Sequence, residues 1–559
     1  MSTPADDLAA PLDLLLTSAA VGPLRRFVPN AAWARMATGL AARPRTLGHR
    51  ATGLAGELGR IAIGQSDRTP SRRDRRFSDP AWTRNPILRR IVQSYLAAAD
   101  AAGALPADAE LGWRDRQRMT FVVDNVVEAL APSNNPVLNP SAWKALIDTA
   151  GLSSLAGARN LVRDLSTAPR VPSMVEPTAF EVGTTVAATA GAVVFRNEIF
   201  ELIQYTPQTE KVRTVPLLIV PPVINKYYVV DLAPGRSMVE YFVQQGQQVF
   251  TISWRNPDAR HRDWDIDTYG AAILAAMDAV RRITRTDTTH LFATCSGGIL
   301  ASMLLGHLAD SGELDRVAGF TLAVSVLDQS RAGLASAALD ERMAAAAIAS
   351  SASKGFLDGR ALAEVFAWLR PTDLIWSYWV NNYLQGRAPA AFDVLFWNAD
   401  TTRMTAALHR GFVELAMSNA LTEPGAATML GSAVDLGKVT TPSYIVAGIS
   451  DHICPWQSCY RSTQLLGSES RFVLSTAGHI ASMVNPPGNP KATYQVNDAN
   501  PQDPDEWLRT ATTRQGSWWP DYIAWLGQRS GRTKAAPKTL GGGGLTPLED
   551  APGSYVREN

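Results

Sequence analysis

Three textures of apolar and polar positions follow one another along the chain. Up to about residue 70 the sequence is rich in Ala, Leu, Gly and Arg, as in Leu8-Ala9-Ala10-Pro11-Leu12-Asp13-Leu14-Leu15-Leu16, which predicts amphipathic helices with few strand signals. Helical periodicity continues through Ile91-Val92-Gln93-Ser94-Tyr95-Leu96 and Phe121-Val122-Val123-Asp124-Asn125-Val126-Val127, and the Pro/Asn cluster at 131–136 interrupts it. Near Phe180 the texture changes. Residues 191–197 and 200–205 read as a hairpin, 215–220 as an apolar run closed by Pro221-Pro222, and 248–254 as another such run. Continuous apolar strands separated by helices predict a parallel sheet covered on both faces. A helix over 268–285 leads into the next strand, and a further strand is expected over 319–327. From about 328 to 434 strand signals stop, and helical pattern carries Trp368, Trp376, Tyr378, Trp379, Tyr383 and Trp397. The sheet resumes at 443–448 and 472–475, so the aromatic stretch is an insertion expected to cap whatever lies at the strand ends. The four glycines Gly541-Gly542-Gly543-Gly544 predict a flexible tail. Two domains are expected: 1–190, mainly helical with a variable amphipathic 1–70, and 191–559, an α/β domain with the cap at about 328–434.

The sharpest chemistry sits in Thr289-His290-Leu291-Phe292-Ala293-Thr294-Cys295-Ser296-Gly297-Gly298-Ile299-Leu300. A buried strand, a cysteine, two glycines and an apolar helix make the layout of a nucleophile elbow, with a thiol in place of the usual serine. The N–H of Ser296, next after the nucleophile, would face a developing oxyanion. Two more residues fall at the ends of later strands: Asp451 after 443–448, and His479 after 472–475. Nucleophile, acid, histidine is the chain order of the α/β-hydrolase fold, and ligands of open parallel sheets bind at those strand ends. A neutral thiol needs a base to take its proton, and the imidazole needs a carboxylate to hold its tautomer. Cys295, His479 and Asp451 are therefore the expected catalytic residues. His452 and Asn225 are expected to support them. Cys454 and Cys459 are five apart, unsuited to facing each other on a helix, and are expected to be structural thiols.

Composition narrows the class. The chain has 559 residues, 46% hydrophobic and 19% charged, enough for more than one domain with a sizeable core. A net charge of +1 offers nothing to nucleic acid or an anionic membrane. Three cysteines argue against a disulfide framework and fit a reducing cytoplasm. The start, Met1-Ser2-Thr3-Pro4-Ala5-Asp6-Asp7, has no basic segment of a secretory signal, and no run is long and apolar enough to span a bilayer. No metal-ligand spacing, Walker loop or dinucleotide loop occurs, so no metal or cofactor is expected.

Taken together, the motifs resemble those of polyhydroxyalkanoate synthases of the single-subunit class I/II type. The resemblance runs from about Asp74 onwards. It is carried by Asp74-Arg75-Arg76-Phe77, Gly191-Ala192-Val193-Val194-Phe195-Arg196-Asn197, Pro221-Pro222-Val223-Ile224-Asn225-Lys226-Tyr227-Tyr228, Ser253-Trp254-Arg255-Asn256-Pro257, Cys295-Ser296-Gly297-Gly298, Phe396-Trp397-Asn398-Ala399-Asp400-Thr401-Thr402, Asp451-His452-Ile453-Cys454-Pro455-Trp456 and Gly478-His479-Ile480. One departure is Ala293, where the family's box has glycine; its methyl is expected to crowd the elbow. The resemblance implies polymerisation of (R)-3-hydroxyacyl-CoA thioesters through an acyl thioester on Cys295, with coenzyme A as leaving group rather than cofactor. It implies His479 as base for the thiol, either Asp451 or His479 activating the hydroxyl, and oxyanion donors at Ser296 and Ile224. It further implies a cytoplasmic homodimer at the surface of polyester granules. Residues 1–70 match the family least; their amphipathic helices are expected to bind the granule or a partner, the alternative being that they pack on their own domain. The rival readings are a cysteine-nucleophile hydrolase of the same fold (a thioesterase, dienelactone-hydrolase-like enzyme or polyester depolymerase) and a non-enzymatic granule coat.

Overall fold

The computed structural model describes residues 16, 19–20, 31–72, 74–329, 337–451 and 453–559. Its centre is a mixed sheet of eleven strands: β1 (Gly191–Arg196), β2 (Phe200–Tyr205), β3 (Leu217–Val220), β4 (Val249–Trp254), β5 (Thr289–Thr294), β6 (Val317–Ala323), β7 (Ser443–Gly448), β8 (Ser470–Ser475), β9 (Thr493–Val496), β10 (Thr512–Gln515) and β11 (Glu549–Asp550). The spatial order is β10-β9-β8-β7-β6-β5-β3-β4-β2-β1-β11. The six strands β3 to β8 run parallel, as their continuous apolar sequences require; antiparallel strands extend the sheet on both sides. The expected hairpin β1–β2 forms, with an irregularity between Val193 and Phe195. All residues of β5 are buried, whereas all of β10 at the edge are exposed.

Local chemistry moves two of the expected boundaries. The helix before β5 spans Ile266–Thr284 because Asp265 and Thr268 cap it reciprocally, and it stops where Arg285 turns left-handed at φ 55°. Strand β6 ends at Ala323 rather than 327, because Val324 takes φ 48° and turns the chain out of the sheet.

The chain then runs outward between β6 and β7. This insertion holds helices Ala337–Lys354, Gly359–Leu369, Asp393–Ala399 and Ala406–Ser418, with two π-helical turns, Thr372–Trp376 and Trp379–Leu384. Strands are not wholly absent from it. Phe356–Leu357 pairs with Met404–Thr405, and Ala427–Met429 with Ser432–Val434, in pieces too short to show a period.

The N-terminal helices seat on this insertion. We label them α1 (Ala31–Ala41), α2 (Pro44–Ala62), α3 (Pro86–Gly103), α4 (Trp113–Ala129), α5 (Pro140–Asp148) and α6 (Leu152–Ser166). Asn160 of α6 donates to the Asn382 carbonyl at 3.1 Å, Tyr383 donates to Asp164 at 2.8 Å, and the Trp379 indole donates to the Asn134 carbonyl at 3.1 Å. A methyl at Gly157 would stand 1.9 Å from the Tyr383 carbonyl oxygen, so the approach demands glycine. The insertion's aromatics, expected to cap the site, thus also form the seat for α6. Within 1–70, α1 packs Ala32, Trp33, Met36 and Leu40 on Ala109, Leu111 and Met119, and Arg50 pairs with Asp108 at 2.7 Å. Leu16 and Ala19 lie fully buried in the core cluster of the sheet domain. Those two residues belong to the fold itself.

The expected flexible tail is instead a fixed strap. All four glycines hold positive φ; Gly541 N–H donates to Gln204 at 2.7 Å, and Arg282 donates to the Gly543 carbonyl at 3.0 Å. Beyond them β11 joins the sheet edge at β1. The fully buried Glu201 carboxylate accepts from the N–H groups of Ser554 and Tyr555 and from Arg196, and the Arg255 guanidinium lies 4.1 Å over the Tyr555 ring. The glycines turn the chain tightly where side chains would strike Arg282 and Ile283 backbone.

Candidate active site

Cys295 stands between β5 and the helix Ser296–Asp310 with φ 49° and ψ −124°, the strained conformation of a nucleophile elbow. Three contacts impose it. The Cys295 N–H donates to the Ala323 carbonyl at 3.0 Å, the Ser325 hydroxyl donates to the Cys295 carbonyl at 3.0 Å, and Val223 N–H donates to Ser296 Oγ at 3.1 Å. The two glycines are steric requirements. A methyl at Gly297 would lie 2.5 Å from the Pro221 carbonyl oxygen, and one at Gly298 would lie 2.1 Å from Ser325 Oγ. Ala293 does not crowd the turn: its methyl is buried in the core cluster, and Ala293 pairs with Val220 and Leu322 in regular sheet.

The three residues placed on separate strand ends by the sequence come together. Cys295 Sγ lies 3.1 Å from His479 Nε2, and His479 Nδ1 lies 2.7 Å from Asp451 Oδ2. The other Asp451 oxygen accepts from the N–H groups of Ile453 and Cys454 at 2.8 and 2.9 Å, so the carboxylate is fixed. His479 opens a short helix, His479–Met483, after β8. Burial works against charging its imidazole, yet Asp451 and the flanking thiols outweigh it and hold the pKa well above the ordinary value. Asp451 and His479 are buried; Cys295 is half-exposed. This is a thiol with a base in reach and a base with an orienting carboxylate, the minimum for covalent acyl chemistry.

Ser296 is the first residue of its helix, where N–H groups have no intrahelical acceptor. Ile224 and Asn225 lie in the loop after β3. That loop is tied to the insertion: Asn225 bridges Thr401, Thr402 N–H donates to the Ile224 carbonyl, the Trp397 indole donates to the Lys226 carbonyl at 2.7 Å, and Tyr228 donates to Asp400 at 2.8 Å. His452 lies outside the described residues. A cleft of about 630 Å³ runs between the insertion (Asp393, Leu395) and the His479 side (Ala477, Ala481), with Arg236 and Lys491 at its wall.

Cys459 is a core residue, whereas Cys454 lies beside the base and its carboxylate. Donor atoms of Asp451, Cys454 and His479 lie within 4.8 Å of one another. Burial pushes the Cys454 thiol up to about 12 despite the nearby imidazole. The cue in the sequence is that Cys454 follows Asp451 by three residues.

Residues 73–242 match the family described as the N-terminus of poly-beta-hydroxybutyrate polymerase (PhaC), and residues 226–486 match the alpha/beta hydrolase fold. The chain is 46% identical over 508 residues to poly(3-hydroxyalkanoate) polymerase 2 of Ectopseudomonas oleovorans, covering 91% of this chain and 90% of that one. It is 41% identical over 505 residues to the poly(3-hydroxyalkanoate) polymerase subunit PhaC of Cupriavidus necator, covering 89% and 85%. Among solved structures, a thermophilic esterase from Thermogutta terrifontis aligns at 15% identity over 53% of this chain and 92% of that one, with a TM-score of 0.32. With such identity sustained along nine-tenths of both chains, this protein belongs to the poly(3-hydroxyalkanoate) polymerases, enzymes built on the α/β-hydrolase fold.

Proposed function

We propose that the protein polymerises (R)-3-hydroxyacyl-CoA thioesters into polyester, with Cys295 as the acyl carrier. The observation that supports this most is the continuous contact from Cys295 Sγ through His479 to Asp451 at a strained elbow. In the loading step His479 Nε2 takes the thiol proton, and the thiolate attacks the thioester carbonyl. The N–H groups of Ser296 and Ile224 receive the oxyanion. Coenzyme A leaves as its thiolate and takes the proton from His479, so the enzyme ends acylated and neutral. Exchange of one thioester for another is nearly balanced in energy, so loading is reversible. In elongation the hydroxyl of a second hydroxyacyl unit attacks the acyl-enzyme thioester while His479 receives the hydroxyl proton; the ester forms as the carbon–sulfur bond breaks, and the departing Cys295 thiolate recovers that proton from His479. Asp451, held by two N–H donors, stabilises the imidazolium in both steps.

The polymer's docking face is, in this reading, on α5 and α6. The buried side of α6 is small and polar, with Ser153, Gly157, Asn160 and Asp164 against the insertion. Its outer side carries Leu152, Leu155, Val162 and Leu165, and α5 adds Trp143 and Ile147, all exposed. An apolar stripe that faces outward suits an apolar granule surface. No described helix is long and apolar enough to cross a membrane. Incubation with 3-hydroxybutyryl-CoA tests the reading: insoluble polyester with coenzyme A release is expected, and free 3-hydroxybutyrate alone would identify a hydrolase.

A further inference from the structure

Polymerisation, as derived above, makes no use of Cys454. The thiol nevertheless sits beside the base and its carboxylate. The Cys454 backbone is held by three bonds around it: Asp451 Oδ1 accepts from the N–H groups of Ile453 and Cys454, and the Cys459 thiol donates to the Cys454 carbonyl at 3.7 Å. The imidazole arrives from the next strand with Nδ1 turned to Asp451 Oδ2 at 2.7 Å. One oxygen, one sulfur and one nitrogen donor thus converge within 4.8 Å, from residues fixed by backbone bonds. Asp451 and His479 are buried, and Cys454 is partly buried against the core.

We infer that Asp451, Cys454 and His479 form a site for a thiophilic divalent cation, zinc, and that its occupancy switches polymerisation off. Tetrahedral zinc with ordinary bond lengths to sulfur, nitrogen and oxygen holds its ligands about 3.3–3.8 Å apart. Side-chain shifts of about 1 Å bring the three donors into that range from the separations above. The mixed donor set selects against magnesium and calcium, which take oxygen ligands. Solvent fills the fourth position.

The proton balance explains the inhibition. Cys454 releases its proton to solvent as the sulfur–zinc bond forms, and the thiolate and Asp451 carboxylate neutralise the ion. Zinc on Nδ1 displaces the proton there to Nε2. An imidazole carrying its proton on Nε2 has no lone pair left for the Cys295 thiol, so the nucleophile loses its base.

The site does not include Cys295, and the experiment turns on that. Full-length Cys295→Ala protein is titrated with Co²⁺, whose thiolate complexes absorb strongly in the near ultraviolet. We expect a thiolate-to-cobalt band that saturates at one equivalent and is displaced by zinc. The band should vanish in Cys295→Ala/Cys454→Ser. In the otherwise unaltered enzyme, zinc should inhibit reversibly, with chelation restoring activity. Because loss of even an outer partner weakens metal sites 10–100-fold, Cys454→Ser should raise the half-inhibitory zinc concentration about 100-fold, relative to its own metal-free rate. Failure of the Cys295→Ala protein to give the band would overturn the inference without touching the proposed polymerisation. So would a band that survives Cys454→Ser. Should the serine variant not fold, Cys454→Ala takes its place in the same titration.

Discussion

The centre of the sheet and the α5–α6 region handle apolar residues in opposite ways. Strands β3 to β5 are buried along their whole length. Helix α6 buries its small and polar side and leaves Leu152, Leu155 and Leu165 outside, with Leu155 70% exposed and Ile147 of α5 73% exposed. A surface of that kind costs free energy in water and contributes nothing to the fold that a polar residue would not. The sheet therefore fixes the site by its own burial, while the helical region leaves an apolar stripe in solvent, the face proposed above to meet the granule. The division does not follow the sequence order simply, since Leu16 and Ala19 are buried in the sheet domain's core.

The largest expected effect falls on the chemical centre. Cys295→Ala should lower polymer formation by at least about 10³-fold, the scale on which a removed nucleophile acts. Its melting temperature should stay within about 2 °C of the parent, because the side chain is small and only partly buried at the margin of the core. Residual activity of one-tenth would remove Cys295 from the mechanism. Close behind stands Gly297→Ala, whose methyl meets the Pro221 and Val220 carbonyl oxygens at 2.5 and 2.7 Å. A destabilisation of about 2–3 kcal/mol with a collapse of activity is expected from chemical denaturation and rate measurements. A wild-type rate would mean that the elbow relaxes freely.

The next test strains the comparison directly. Leu16→Ala should cost about 3 kcal/mol, as for other buried leucines. Deleting residues 1–70 should accordingly lower the melting temperature sharply, contrary to the view that the segment is only a docking arm. An unchanged melt on deletion would restore that view. In acid, the sheet and the insertion share a weakness, one buried histidine in each. Burial lowers the pKa of His290 and of His409 to about 4. The unfolded chain, with histidines near 6.5, takes up protons that the folded chain refuses. Stability from these groups is full above about pH 6.5 and falls as pH drops toward 4, by a few kcal/mol for the pair. Melting scans across that range check the sign. The smallest change in stability, within about 0.5 kcal/mol, is expected for Ile147→Glu with Leu155→Glu on the exposed stripe. The same variant should lose partition to polyester granules while keeping its rate on soluble substrate. Retained granule binding would break the functional half of the comparison.

What the sequence revealed followed from how directly each feature depends on local chemistry. The parallel strands were readable because burial on both faces demands unbroken apolar runs. Gly297 and Gly298 were readable because the elbow needs two close approaches in succession. Which side of α6 faces inward is not legible in the sequence, since that depends on the insertion at Asn382 and Tyr383, more than 200 residues away. Composition cannot separate a loose glycine run from a tightly turned one, so the tail at 541–544 was misread. Cys454 was hidden because its partner His479 comes from another strand.

The central claim is that Cys295 carries the acyl group, and trapping that group is its most direct test. The enzyme is mixed with 3-hydroxybutyryl-CoA, quenched in acid within the first turnover, and digested for peptide mass analysis. The account predicts a 3-hydroxybutyryl mass on the peptide bearing Cys295, matched by an equal burst of free coenzyme A, and neither in Cys295→Ala. A burst with the acyl mass on Cys454 instead, or coenzyme A release with no adduct on Cys295 at any time, would contradict it.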